Sequence, residues 1–313
     1  MFCASKPLFI MDNIKGLNVR DHSSSSRLAD IKINNDYLDQ VKDHFDQYEL
    51  MDIEYKPFLR FHITDLFNKI FDGKIQNLIK KILHNREQGA FVIGPEKMDS
   101  EKYNADFLVK LSTALTHLVG VPNFDAMYGK YYARFEVKNS DNSDSYLRKA
   151  AKKLDLHTDG TYVKEKTDWL LMMKMKEENS EGGESTLLHL DDWEDCDKFF
   201  NDPIGKENFV WGSPKSKNVD YKIEHPIFSK DNKGKPIISY IDQFPEPQSL
   251  KQGLYLNNLS ESLESSKKLI SFKLPPGYSI FSNNYFMLHG RKAFKPHPKL
   301  YRELLRQRGV FYK

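Results

Sequence analysis

The sequence predicts a mainly β fold, a sandwich or double-sheet jelly roll with α-helices packed outside it. Two observations carry that prediction. Helical periodicity, with apolar residues recurring at three and four, is concentrated in the first third of the chain. From Tyr131 onward the pattern changes to short strand-like runs separated by turn residues, which suits a β barrel better than alternating strand and helix layers.

Taken in order, residues 1–30 include the serine run 23–26 and show little periodicity, so they read as a loosely ordered arm. Helices are predicted over residues 36–51, 63–88 and 100–119, with a strand-like segment at 89–94. Strands are predicted over 131–137, 169–175, 185–189, 223–229, 236–242, 269–274, 278–282 and 304–312. Turns fall at Gly182-Gly183, Asp231-Asn232, Pro275-Pro276-Gly277 and Asn283-Asn284. The run Trp169-Leu170-Leu171-Met172-Met173 is apolar at every position, as a central strand covered on both faces would be, and its methionines read as core filling.

With 313 residues, 39% hydrophobic and 13% aromatic, the chain can close one large core, and no repeat or composition break marks a second domain. Residues 31–313 are expected to form a single domain, helix-rich over 31–125, with the barrel core mainly in 126–313. The net charge of +3 is spread without a basic stripe, which argues against nucleic acid as a partner; the lysine-rich stretches 149–153 and 215–222 read as solvated surface. Cys3 and Cys196 are the only cysteines, so a disulfide scaffold and a thiolate zinc cluster are excluded and a reducing compartment is indicated. No apolar run reaches the ~18 residues of a membrane span, and the amino-terminal apolar run is too short for a secretory signal. A soluble, cytoplasmic protein is expected.

The chemistry starts from His157-Thr158-Asp159 and the distant His289. Two imidazoles and a carboxylate can occupy one face of an iron(II) ion and leave the opposite positions open. Three His-x-Asp triplets occur. His44-Phe45-Asp46 lies in a helical pattern, where residues two apart point to nearly opposite sides and cannot share an ion. In a strand, residues two apart share a face, so both His157/Asp159 and His189/Asp191 remain possible. Context favours the first pair: Leu156-His157 reads as a strand end, and Gly160 lets the backbone turn beside an ion. The second runs into the acidic stretch 191–197, which reads as the capped first turn of a helix.

Four of the ten arginines, Arg291, Arg302, Arg306 and Arg308, follow His289 closely. Arginine's planar fork grips a carboxylate bidentately. Arg302, Arg306 and Arg308 share parity with Leu304 and Val310, so a strand would present all of them on one face. Such a face demands anions, either from a ligand or from acids on neighbouring strands.

These features resemble the iron(II)/2-oxoglutarate-dependent dioxygenases of the clavaminate synthase-like superfamily. Longer blocks resemble the bacterial, carbon-starvation-induced glutarate 2-hydroxylases: residues 129–135, 141–148, 156–161, 188–193, 240–244, 288–291 and 302–309. The resemblance runs from about residue 85 to the carboxy terminus. It implies a double-stranded β-helix (jelly roll) core with flanking α-helices, and His157, Asp159 and His289 as metal ligands. With the carboxylate retained at Asp159, it implies an oxygenase and not a halogenase. Fe(II), 2-oxoglutarate as cosubstrate and O2 are then required. Ser185, after the Gly182-Gly183 turn, and Arg302 match the cosubstrate-binding positions best, and Arg306 sits where relatives often place a second carboxylate contact; Arg302, Arg306 and Arg308 remain interchangeable as the anchor. Arg134 and whichever of Arg306 and Arg308 is left over are the substrate-binding candidates.

The implied reaction is hydroxylation of glutarate at C2 to (S)-2-hydroxyglutarate with release of succinate and CO2, a step of lysine degradation. The implied partners are a small dicarboxylate and further copies of the chain in a homotetramer, with no membrane and no nucleic acid. Two alternatives stand beside this reading: the same chemistry on another short acid or an amino acid, and a non-enzymatic metal-binding barrel. The open-sided ligand set argues against the last, because structural sites close their shell with protein groups.

Overall fold

The computed structural model describes residues 14–138, 152–213 and 219–313. The described residues open with β1 (Leu17–His22) and β2 (Ser25–Ile33), then α1 (Asn35–Phe45), α2 (Leu50–Tyr55), α3 (Pro57–Ile70) and α4 (Ile75–His84). Next come β3 (Ala90–Pro95), α5 (Ala105–His117), β4 (Gly120–Pro122), β5 (Ala133–Lys138), β6 (Leu154–His157), β7 (Trp169–Glu178) and β8 (Ser185–His189). The last third holds α6 (Cys196–Asn201), β9 (Phe209–Trp211), β10 (Ile223–His225), β11 (Phe228–Lys230), β12 (Pro236–Ile238), β13 (Pro245–Glu246) and α7 (Leu250–Ser265). It ends with β14 (Ile270–Phe272), β15 (Ser279–Asn283), β16 (Met287–Arg291) and β17 (Tyr301–Phe311).

The fold is mostly β with flanking helices, as expected. Two sheets matter for the site. One has eight strands, in the order β1-β2-β3-β15-β7-β17-β4, with β5 also paired to β17. The other has four, in the order β14-β8-β16-β6. They face one another across a cavity lined from both. The large sheet sorts its side chains by parity. Leu171, Met173, Phe281 and Leu305 pack into the core beneath α1–α5, while Leu170, Met172, Ile280 and Leu304 turn into the cavity. The apolar run at 169–173 is thus a central strand covered on both faces.

The expectation of a loose arm over 1–30 is corrected for residues 17–30. They form the β1–β2 hairpin, and β2 runs parallel to β3. The serines that suggest looseness sit at the hairpin bend, while Ala29, Ile31 and Ile33 alternate into the helical core and are fully buried. Residues 1–13 of the arm lie outside the described residues, as does the matching block at 141–148.

The predicted helix at 63–88 is two helices. Pro57 starts α3 early, at a first-turn position where its missing N–H costs nothing. The break comes at Asp72 and Gly73, both with positive φ. The segment at 36–51 likewise ends at Phe45 and restarts at Leu50. Sequence periodicity misses α7, which is capped by the Ser249 side chain accepting from Gln252 N, and β16, which carries His289.

Candidate active site

The cavity between the sheets measures about 540 Å³, within the range of small-ligand sites. At one end, β6 and β16 run antiparallel with His157 directly opposite His289, their ring centroids 4.1 Å apart. Beyond His157 the chain turns through Gly160, where φ is +85° and a Cβ would lie 2.3 Å from the Thr167 hydroxyl. Only glycine fits there. The turn brings Asp159 Oδ1 to 3.7 Å from Nε2 of both His157 and His289. One ligand atom from each of the three residues lies within 4.8 Å of the others, a set able to hold a metal ion.

The turn is pinned from behind. Asn284 accepts from Asp159 N at 2.9 Å and donates to the carbonyls of Asp159 and Thr167 at 2.9 and 2.8 Å. Thr158 N donates to Tyr240 O at 2.7 Å, and Tyr240 N returns a bond to Thr158 Oγ1. His157 Nδ1 lies 2.8 Å from Asp155 O and must be the donor there, which leaves the Nε2 lone pair toward Asp159 and His289.

Protonation favours a metal. Burial pushes the His157 imidazolium pKa down to about 3, helped by His289, so this ring is neutral. Burial alone would raise the Asp159 pKa, but the Arg306 guanidinium and His289 override it and hold it well below the usual carboxylate range. A neutral ring and an ionised carboxylate are the forms that bind a cation. The donor set, two imidazoles and one carboxylate on one side with open cavity on the other, fits iron(II).

The other His-x-Asp pair does not assemble. His189 Nδ1 accepts from Asp191 N at 3.0 Å, and the Asp191 carboxylate is gripped bidentately by Arg86. Residues 190–192 form a 3-10 turn that takes Asp191 off the strand face. The helix expected from the acidic stretch starts later, at Cys196.

β17 presents Arg302, Leu304 and Arg306 along the cavity, with Arg306 beside Asp159 and Arg302 toward the far end. Arg302 is 3% exposed and donates from Nη1 to Gly183 O at 2.9 Å. Gly182 and Gly183 have φ of +82° and +68°, and a Cβ on Gly183 would sit 2.0 Å from the Phe294 ring. This double-glycine turn therefore sets both the carbonyl on Arg302 and the entry of Ser185, which also lines the cavity. Beside Arg302, Lys174 is fully buried with its Nζ 2.7 Å from Glu177 Oε1. Burial, reinforced by Arg302, lowers the Lys174 pKa to about 8.

The other arginines differ in how they are paired. Arg306 donates to Asp125 Oδ2 at 2.9 Å and lies 3.2 Å from Asp159 Oδ2. Arg134 lines the cavity but donates to Glu303 Oε1 at 2.7 Å. Arg308 has the parity of the others yet is not among the cavity-lining residues. Sequence reasoning missed Asn284, visible only as half of a turn pair, and Asp125, which carries no local signal.

The family model for CsiD matches residues 17–311. A glutarate 2-hydroxylase of Klebsiella pneumoniae (strain 342) is 46% identical over 296 residues, covering 95% of this chain and 91% of that protein. One from Salmonella typhimurium (strain LT2) shows the same identity and coverage. Among solved structures, an asparagine oxygenase in complex with Fe(II), 2S,3S-3-hydroxyasparagine and succinate aligns with a TM-score of 0.71 at 12% identity, over 90% of this chain and 93% of that one. The non-heme iron oxygenase OrfP in complex with Fe and alpha-ketoglutaric acid aligns with a TM-score of 0.67 at 15% identity, over 88% and 90%. At that identity the likeness is one of fold. With its model matched over nearly the whole length and relatives this similar, the chain belongs to the CsiD family.

Proposed function

We propose that this protein is an iron(II)/2-oxoglutarate-dependent glutarate 2-hydroxylase with a double-stranded β-helix core. The observation that carries the reading is a cavity with a His157/Asp159/His289 ligand set at one end and, at the other, the buried guanidinium of Arg302 without a carboxylate partner among the described residues. The 46% identity to proteins named glutarate 2-hydroxylase supports the choice of substrate.

Iron(II) bound there supplies the oxidative decarboxylation of 2-oxoglutarate by O2 to succinate and CO2, with insertion of one oxygen atom into a substrate C–H bond. The chain's own residues do the rest. His157, Asp159 and His289 hold the ion. Arg302, with Ser185, takes the distal carboxylate of 2-oxoglutarate, because no acid among the described residues pairs with it as Asp125 and Glu303 pair with Arg306 and Arg134. Arg306 lines the cavity next to Asp159, so a glutarate carboxylate held there brings C2 close to the metal ligands. Arg134 is the candidate for the second glutarate carboxylate. Leu170, Met172, Leu187, Ile280 and Leu304 make the walls apolar and keep water from competing. The product is (S)-2-hydroxyglutarate.

The reading includes a single domain over 31–313, to which the β1–β2 hairpin adds residues 17–30, a cytoplasmic location, supported by the two-cysteine composition, and a homotetramer, supported by the family resemblance. The test of function is reconstitution with iron(II), 2-oxoglutarate, ascorbate and O2, with glutarate or other short acids supplied and succinate and hydroxylated acid quantified. Equal amounts of succinate and 2-hydroxyglutarate are expected. Succinate coupled instead to another hydroxylated acid would overturn the substrate, and no iron-dependent turnover with any acid would overturn the enzyme.

A further inference from the structure

Two guanidiniums from opposite sheets pack on one buried ring. The Cζ atoms of Arg291, in β16, and Arg302, in β17, lie 5.0 and 5.4 Å from the Phe294 centroid. Arg291 is the cross-strand partner of Ser185 and shares the cavity face of β16 with His289 two residues earlier. Arg291, Arg302 and Ser185 therefore converge on the cavity end away from the metal ligands.

Neither guanidinium has a carboxylate partner among the described residues. Arg302 spends Nη1 on Gly183 O, and Arg291 spends Nη2 on Lys152 O at 2.7 Å. The Nε–H of each is buried without an acceptor. Glu177 and Glu184 both act on Arg302 through space without forming an ion pair with it, and Glu177 is already taken up by Lys174 at 2.7 Å and Lys273 at 3.5 Å. Arg302 is buried and Arg291 half-buried, and leaving such cations without an ion-paired acid, with buried donors unused, is costly. Arg134 and Arg306, in the same cavity, each have an acid. The contrast marks this end as built for an anion brought by a ligand.

We propose that Arg291 and Arg302 form a two-guanidinium clamp on a single carboxylate, the distal carboxylate of 2-oxoglutarate, with Ser185 alongside. This rests on the cosubstrate reading above and adds Arg291 to it. Two forks on one carboxylate offer about four N–H groups to its roughly four lone-pair sites, enough to satisfy it. Ligands lacking that carboxylate leave both cations uncompensated, so the clamp selects 2-oxo diacids over 2-oxo monoacids.

The experiment is calorimetric titration of 2-oxoglutarate and of 2-oxobutyrate, which lacks the distal carboxylate, into the full chain loaded with redox-inert zinc(II). Arg291→Gln is expected to weaken 2-oxoglutarate binding roughly 10- to 100-fold, the range for losing charge-assisted hydrogen bonds. Binding of 2-oxobutyrate and of zinc is expected to stay within about two-fold. Arg291→Lys, which keeps the charge and not the fork, is expected to fall between, and it serves as the folded control if Arg291→Gln proves unstable. Unchanged 2-oxoglutarate affinity, or equal losses for both oxo acids, overturns the clamp. Wild-type protein that does not prefer 2-oxoglutarate over 2-oxobutyrate overturns the cosubstrate reading itself, and the clamp with it.

Discussion

Asn284 holds Asp159 by both sides of its backbone, accepting its N–H and donating to its carbonyl, each at 2.9 Å. The side chain that faces the two histidines is thus aimed by an amide from the turn between β15 and β16. Asn284→Ala removes the three bonds at once, including the one to Thr167 O. Loss of such supporting contacts around a metal ligand costs about 10- to 100-fold in metal affinity. Zinc or cobalt affinity measured by competition with a chelator is expected to fall in that range. An affinity within two-fold of wild type would mean that the turn through Gly160 aims Asp159 unaided.

Asp125 acts on the site through Arg306. Its carboxylate takes one guanidinium N–H, and another N–H of the same group lies 3.2 Å from Asp159 Oδ2. Asp125→Asn keeps the shape but removes the charge, and a charge-assisted bond of this kind contributes about 1.5–3 kcal/mol. With glutarate as substrate, KM is expected to rise about ten-fold while KM for 2-oxoglutarate stays near wild type. A matching rise in both would place Arg306 with the cosubstrate instead.

Much of this was legible in the sequence because it is periodic or local. His157 and Asp159 share a strand end before a required glycine, and the parity of Arg302, Leu304 and Arg306 puts them on one cavity face. What was not legible is the pairing of each arginine. Parity makes Arg302 and Arg306 equivalent, but Asp125, 181 positions from Arg306, neutralises only one of them. The β1–β2 hairpin was hidden for a related reason. Its stability comes from parallel pairing with β3, about sixty residues on, and not from its own composition.

Gly183 links the glycine turn to the Arg302 end of the cavity. With φ at +68° and the Phe294 ring 2.0 Å from where a Cβ would be, Gly183→Ala must move the ring or the turn. The first disturbs the ring on which the Arg302 guanidinium packs, and the second moves the carbonyl that receives it. Thermal unfolding is expected to show a loss of more than about 1 kcal/mol. KM for 2-oxoglutarate is expected to rise more than KM for glutarate. A variant as stable as wild type with unchanged KM values would show that Phe294 yields freely.

Lys174 gives the site a pH signature in stability. Its pKa in the folded protein is lowered to about 8 by burial and Arg302, against an ordinary value of 10.5. Below pH 8 the lysine is charged in both folded and unfolded chains, and the cost of burying that charge is present in full. Between about pH 8 and pH 10.5 the unfolded chain binds more protons than the folded one, so this group makes stability rise with pH. Lys174→Met removes the titration but also one partner of Glu177, which keeps Lys273 at 3.5 Å. Denaturant unfolding of both proteins from pH 7 to pH 10 is expected to show wild type gaining on the variant above pH 8. A difference that stays constant across that window would mean that Glu177 keeps Lys174 charged throughout.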